Sequence, residues 1–424
     1  MVTKYKAEVY DLMQYFHRAV FEPSLRSVIR LSGHIDEKVL SEAVTLSTDA
    51  IPMLRCCFSE AQRGSCWIDK GFTGQDMISV VEAGPDYEQD KSRLLATPLD
   101  IFHGPQLKIF ILREKQADTL ILILNHMVSD GAGLKEYLYL LCDLYNKCLE
   151  GRSIPKPLFV SRSVSPLFAK FKLSAKMKIL WAKYDFAKLI KPVDLGLEGD
   201  KTYPITASLS ISPQEFSLLK AWAKNKGFSV NDVIFTAFVR VLSKQIGQKR
   251  VIVPCPVDLR KYLAEDQRKC ITNLTSHFIC DLQIEDHDSF TTTIAEVSRQ
   301  MKEQKDSTAC LKPVLWFSLA CKLLPLSLLR KVFDKLFIIP FISFSNLGLV
   351  DAGRLKFSGL DIVQMYIGGA LRYAPYFQVT ATSYQGACTL ACNFYGSPGD
   401  KIKIDSFLSG LVEELARLSS QSLD

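Results

Sequence analysis

The segment Leu120-Ile121-Leu122-Ile123-Leu124-Asn125-His126-Met127-Val128-Ser129-Asp130-Gly131 decides how this chain is read. Five consecutive apolar residues fit a strand covered on both faces at the middle of a domain. Its polar end carries an imidazole. A histidine fixed at a strand end can serve as a general base near neutral pH. Asp130 can orient the turn that carries His126, and Gly131 permits backbone geometry that a side chain would forbid. The bland alternative is that Ser129 or Asp130 only caps the next helix and that His126 is structural.

Outward from this point the order is strand and helix. Upstream, Ser27 to Leu31 forms an extended run closed by Gly33, and Asp36 precedes Val39, Leu40, Ala43 and Leu46 at helical spacing. Further strands are expected over 54–58, 67–69, 107–112 and 119–124. Downstream, Leu134, Tyr137, Leu138, Leu141, Leu144, Tyr145 and Cys148 form the apolar stripe of a core-facing helix that stops at Gly151.

A change of composition follows. Pro155 and Pro157 open a loop, and Lys170, Lys172, Lys176, Lys178, Lys183, Lys188 and Lys191 then alternate with Phe168, Phe171, Leu180, Trp181 and Phe186. A basic amphipathic helix of this kind can make peripheral contact with an anionic membrane; a solvated connector packed by one face is the simpler reading. The boundaries expected are a first lobe over 1–165, a basic crossover over 166–203 and a second lobe over 204–424.

The second lobe repeats the grammar. Ser212-Pro213-Gln214-Glu215 is a capping box, Gly227 ends its helix, Ser229 caps the next and Gly247 closes it. Strands are expected over 251–254, 341–344, 355–357, 378–382 and 389–394, with a final helix over 404–418. Gly368, Gly369 and Gly396 read as turn glycines. The 316–341 segment is apolar enough to line a channel or form a lid, although ordinary core packing is the simpler reading.

Composition excludes several classes. The 424 residues, 48% apolar and 23% charged, describe a packed globular protein of two or three units, with two lobes the starting expectation, not a disordered or fibrous chain, and the order of strands and helices makes it mixed α/β. The 52 Lys+Arg against 45 Asp+Glu leave +7, too thin an excess over this length to call for nucleic acid. The twelve cysteines lack CxxC pairs, so no metal site is expected, and Cys388 and Cys392 read as small buried hydrophobes. With no apolar signal core at the N-terminus and no uncharged run of about 20 residues, no transmembrane segment is expected. A cytoplasmic monomer is the expectation. No GxSxG, Walker A or HExxH pattern occurs.

His126-Met127-Val128-Ser129-Asp130-Gly131 satisfies HxxxDG and resembles the signature of the acyltransferase superfamily that includes chloramphenicol acetyltransferase, alcohol acyltransferases and condensation domains. Similar landmarks recur in family order from about residue 10 to 420: 31–36, 52–55, 105–112, 231–233, 256–260 and 345–348. The resemblance implies two chloramphenicol acetyltransferase-like lobes, each a mixed β-sheet with flanking helices, and an active-site tunnel between them. It implies acyl transfer from a thioester, carried by coenzyme A or by the phosphopantetheine of an acyl or peptidyl carrier protein, to a small-molecule alcohol or amine, with no permanently bound cofactor. His126 is then the general base, Asp130 and Gly131 complete the motif, and Arg260 is the structural partner of Asp130. Asp258 and Arg260 forming only a local surface pair is the alternative. Asn346 either donates to the oxyanion or stabilises a turn. Asn125 stands where condensation domains usually carry a first histidine, which favours simple acyl transfer over carrier-dependent condensation and leaves a catalytically silent binding module as the reading from another class.

Overall fold

Each of the two halves builds a mixed sheet, and each sheet takes a strand from the other half. The computed structural model describes residues 2–153, 161–183, 193–336 and 340–420. The first sheet has five strands in the order Ile362–Gly368, Ser24–Leu31, Asp118–Asn125, Leu107–Arg113 and Ile78–Glu82. Asp118–Asn125 is its central strand and is buried along its whole length, which is why its run tolerates no polar alternation. Ser24 pairs with Asn125 and Leu25 with Leu124, so the motif strand ends beside the start of its neighbour.

The second sheet orders Ile342–Leu349, Phe377–Tyr384, Ala387–Tyr395, Leu371–Tyr373 and Phe21–Glu22, with Pro204–Ile211 also paired to Ala387–Tyr395. Parallel and antiparallel pairs occur in both sheets. Arg250–Asp258 and Thr275–Gln283 form a separate antiparallel ribbon. One continuous cluster of buried apolar side chains runs from Leu25 and Leu124 to Phe344 and Phe377.

Local chemistry explains the helices. Asp36 accepts from the amides of Lys38 and Val39 at the start of Glu37–Ala50. Ser212 with Glu215 and Ser229 with Asp232 form capping boxes, and Gly227 and Gly247 close their helices in the left-handed region. The motif helix Gly131–Leu149 buries Leu134, Tyr137, Leu138, Leu141, Leu144 and Tyr145.

Four local expectations are corrected. The strand expected over 54–58 begins only at Cys56, because Pro52 opens a 3₁₀ turn over Pro52–Arg55. Residues 355–357 form no strand; Phe357 makes an isolated bridge to Leu360. Gly368 ends a strand, and neither it nor Gly369 has a positive φ. A side chain at Gly368 would strike Asn393 and one at Gly369 would strike Gln378, so close packing of side chains, not a turn, excludes a Cβ there. The fourth concerns the motif glycine. Gly131 has no left-handed backbone; a Cβ there would meet the end of the Leu347 side chain, so a side-chain contact, not backbone geometry, is what a substitution encounters.

Of the basic crossover, Leu173–Trp181 is a helix that buries Ile179 and exposes Leu173, Met177 and Trp181. Pro155, Pro157, Phe186, Lys188 and Lys191 lie outside the described residues. Among the described residues no helix is long and apolar enough to cross a membrane.

Candidate active site

The motif loop is held from four sides. His126 donates its amide to the Pro23 carbonyl at 2.7 Å. Asn125 donates from Nδ2 to Gln106 Oε1 at 2.6 Å and accepts from the Met127 amide at 2.8 Å, so this fully buried residue folds the turn. Arg162 donates to the carbonyls of Met127 and Val128, at 2.7 and 3.1 Å, and is itself fixed by Asp11. The fourth support is Asn273, whose Nδ2 donates to the His126 and Met127 carbonyls at 2.7 and 3.2 Å.

Asn273 also sets the state of the imidazole. Because its Nδ2 is spent on two carbonyls, its Oδ1 must face His126 Nδ1, 3.1 Å away. An oxygen acceptor there assigns the ring proton to Nδ1 and leaves the lone pair on Nε2. Burial holds His126 below the ordinary imidazole value, opposed by a backbone hydrogen bond and by Asp130, and reinforced by the Arg372 guanidinium. The ring is therefore neutral near pH 7 and able to accept a proton.

Asp130 does not hydrogen-bond to this ring. Oδ1 accepts from the Gly133 amide at 2.8 Å and from Arg260 Nη2 at 3.0 Å; Oδ2 accepts from Arg260 Nη1 at 3.0 Å, from the Leu274 amide at 2.7 Å and from Thr275 Oγ1 at 3.0 Å. Burial by itself would raise this carboxyl, but Arg260 and the amide donors outweigh it and hold it below the usual carboxylate value. Arg260 reaches further, from Nη1 to Asp258 Oδ1 at 3.1 Å and from Nη2 to the Thr272 carbonyl at 2.6 Å. The pairs Asp130–Arg260 and Asp258–Arg260 thus coexist, and the first ties the motif helix to the Arg250–Asp258 ribbon.

His126 lines a cavity of about 300 Å³ between the two halves. Tyr10, His17 and Leu25 come from one side, and His277, Asn346 and Arg372 from the other. Asp130 and Gly131 also reach its wall, whereas the buried Asn125 does not line it. Burial pushes His17 down to about 3 and His277 down to about 4, with Arg372 acting in the same direction on both. Asn346 sits at a bulge, where its Oδ1 accepts from the Gly348 amide at 2.8 Å and its Nδ2 donates to Asn231 Oδ1 at 3.2 Å. Its carboxamide is engaged in a turn. Of the apolar segment over 316–341, Pro340 reaches the wall, as do Pro313 and Val314 just before it, while Trp316 is exposed.

Asn273, Arg162, His17, His277 and Arg372 were not singled out from the sequence. Asn273 sits in a short polar run, Thr272-Asn273, ahead of a strand, and its partner is 147 residues away. No local spacing encodes such a contact.

The two-lobed fold, with His126 to Gly131 at the cavity between the halves, is that of condensation domains and chloramphenicol acetyltransferase-like proteins. The sequence profile of the condensation domain matches residues 13–310. The chain belongs to the condensation-domain family.

Among curated relatives, bacitracin synthase 1 of Bacillus licheniformis is 23% identical over 240 residues, which cover 53% of this chain and 4% of that protein. Surfactin synthase subunit 1 of Bacillus subtilis (strain 168) is 24% identical over 233 residues, 50% of this chain and 6% of that protein. The match thus spans a small fraction of these relatives' length. Among solved structures, the first condensation domain of the calcium-dependent antibiotic synthetase, in complex with a substrate analogue, superposes with a TM-score of 0.74 at 16% identity, covering 98% of this chain and 96% of that one. Polyketide synthase associated protein 5 from Mycobacterium tuberculosis gives 0.68 at 17%, covering 99% and 97%. TRI3 trichothecene 15-O-acetyltransferase from Fusarium sporotrichioides gives 0.73 at 12%, covering 98% and 96%. These likenesses carry the fold.

Proposed function

We propose that this chain transfers an acyl group from a phosphopantetheine thioester, carried by coenzyme A or a carrier protein, to an alcohol or amine. The observation that supports this reading is the neutral His126, its Nδ1 proton pinned by Asn273 and its Nε2 available in a cavity between the halves. Nε2 takes the proton of the acceptor as its oxygen or nitrogen attacks the thioester carbonyl. The tetrahedral intermediate then collapses, the carbon–sulfur bond breaks, and the thiol leaves with the proton returned from His126. A thioester needs no metal for this step. Asp130 and Arg260 act as structure, fixing the loop from behind.

Carrier-dependent condensation is the second reading, favoured by the family match over residues 13–310. Supplying the same acyl group on coenzyme A and on a carrier protein separates the two. The silent-module reading rested on Asn125, whose burial and turn-forming bonds give that substitution a structural reason.

His126→Ala is the direct test. With a panel of acyl thioesters and acceptors, thiol release that depends on acceptor is expected to fall by about 10²–10⁴-fold in a variant that retains its fold. Release at the wild-type rate sinks the reading.

A further inference from the structure

Arg26, Arg162 and Arg260 are buried, and each meets a carboxylate: Glu22, Asp11 and Asp130 respectively. This is the general rule for cations withdrawn from water. Arg372 departs from it. Its half-buried guanidinium lines the cavity that holds His126 and stands 4.1 Å from the Phe21 ring centroid. Nη2 donates to Gln378 Oε1 at 2.9 Å, whereas Nε is buried without a hydrogen-bond partner. Among the described residues no carboxylate forms an ion pair with it.

Of the other charges on the cavity wall, Asp130 and Asp258 meet Arg260, while Lys135 pairs with no carboxylate among the described residues and is held instead by the carbonyls of Leu347 and Leu349. His17 and His277 bring no negative charge. Burial with no anion beside it pushes Arg372 down to about 10, the direction expected of a cation lacking its counter-charge. Its orientation is also built. A side chain at Gly369 would collide with Gln378 Oε1, so the glycine leaves room for the amide that aims the guanidinium.

We propose that Arg372 binds an anionic group carried by the substrate, a carboxylate or a phosphate, within the same cavity as His126. The proposal rests on the acyl-transfer reading for the identity of the cavity and adds what the substrate carries. A planar guanidinium accepts either anion through paired N–H donors, and partial withdrawal from water strengthens the attraction. A carboxylate would belong to the acyl chain or the acceptor; a phosphate would belong to the pantetheine arm.

Calorimetric titration of the full chain with two matched pairs tests this: octanoate against octanol, and 4′-phosphopantetheine against pantetheine. The wild type is expected to bind one anion at least about tenfold more tightly than its neutral counterpart. Arg372→Met is expected to abolish that preference and Arg372→Lys to keep part of it. Preference for octanoate assigns the anion to the acyl chain or acceptor, and preference for 4′-phosphopantetheine assigns it to the pantetheine arm. No anion preference in the wild type, or an undiminished one in Arg372→Met, overturns the proposal. Circular dichroism checks that Arg372→Met is folded; should it not be, Gln378→Leu removes the aiming amide and is read in its place by the same criteria. Binding is measured without turnover, so this result stands apart from the outcome of His126→Ala.

Discussion

Asn273 Oδ1 lies 3.1 Å from His126 Nδ1, while the same side chain binds the His126 and Met127 carbonyls through Nδ2. One amide therefore fixes both the ring's tautomer and the loop beneath it. Asn273→Ala frees the ring to turn and to move its proton to Nε2, where it cannot act as a base. Loss of alignment of this kind costs about 100-fold. The expected outcome is a drop of that order in kcat with a smaller change in KM, measured with any donor and acceptor that the wild type turns over. An unchanged kcat removes Asn273 from the site.

The acid limb of the rate profile follows from the direction of the His126 shift. A base must be neutral, and burial holds this imidazole below its ordinary value of about 6.5. The acid limb is therefore expected at a lower pH than that of an ordinary imidazole. Arg372 pushes the same group down. Removing that cation in Arg372→Met raises the imidazole's pKa, so the limb moves toward higher pH. A limb above about 7 in the wild type, or one that Arg372→Met moves the other way, contradicts the assignment.

Local signals carried much of this architecture. The apolar run 120–124, the Asp36 cap and the boxes at Ser212 and Ser229 are short-range features, and each lies in the sequence as a residue type at a fixed offset. The strand Ile362–Gly368 left no such mark. A register shift between Ile362 and Gln364 breaks its alternation, so its pairing with Ser24–Leu31 could not be read from periodicity. The same division applies to the site. HxxxDG names His126 and Asp130, whereas Asn273, Arg162 and Arg372 reach the cavity or the loop only through chain folding. Gly131 was legible as a motif glycine, but its neighbour Leu347, which a side chain there would meet, is set by tertiary packing.

Arg260 neutralises Asp130 in a buried setting where the carboxylate also takes donors from Gly133, Leu274 and Thr275. Arg260→Met leaves that charge uncompensated, at a cost of about 3–5 kcal/mol in urea unfolding. Asp130→Asn combined with Arg260→Met is expected to lose less than the sum of the two single changes, since the lone charge is gone. Because Asp130 is held below its ordinary value, its contribution persists above about pH 4 and is lost as the pH falls through the folded-state value. Strict additivity of the two changes would show that the pair is not coupled.

Gly131 and Gly133 open the same helix, yet they differ in what a methyl group would meet. At Gly131 the obstacle is Leu347 Cδ2, the end of a half-buried side chain that can rotate aside. At Gly133 the obstacles are Ser129 Oγ and the Thr272 backbone, whose nitrogen and oxygen both lie 3.0 Å from the position of the added carbon. The Thr272 carbonyl is itself held by Arg260 Nη2 and cannot retreat without disturbing the buried pair. Alanine is the better helix former by about 1 kcal/mol, so propensity alone favours both substitutions. Overpacking opposes it by about 1–3 kcal/mol. Gly131→Ala is accordingly expected to be near neutral, and Gly133→Ala to lower the urea midpoint clearly and weaken the Gly133 amide's bond to Asp130. If Gly133→Ala is as stable as Gly131→Ala, the close approach of Thr272 to the motif helix does not constrain the site.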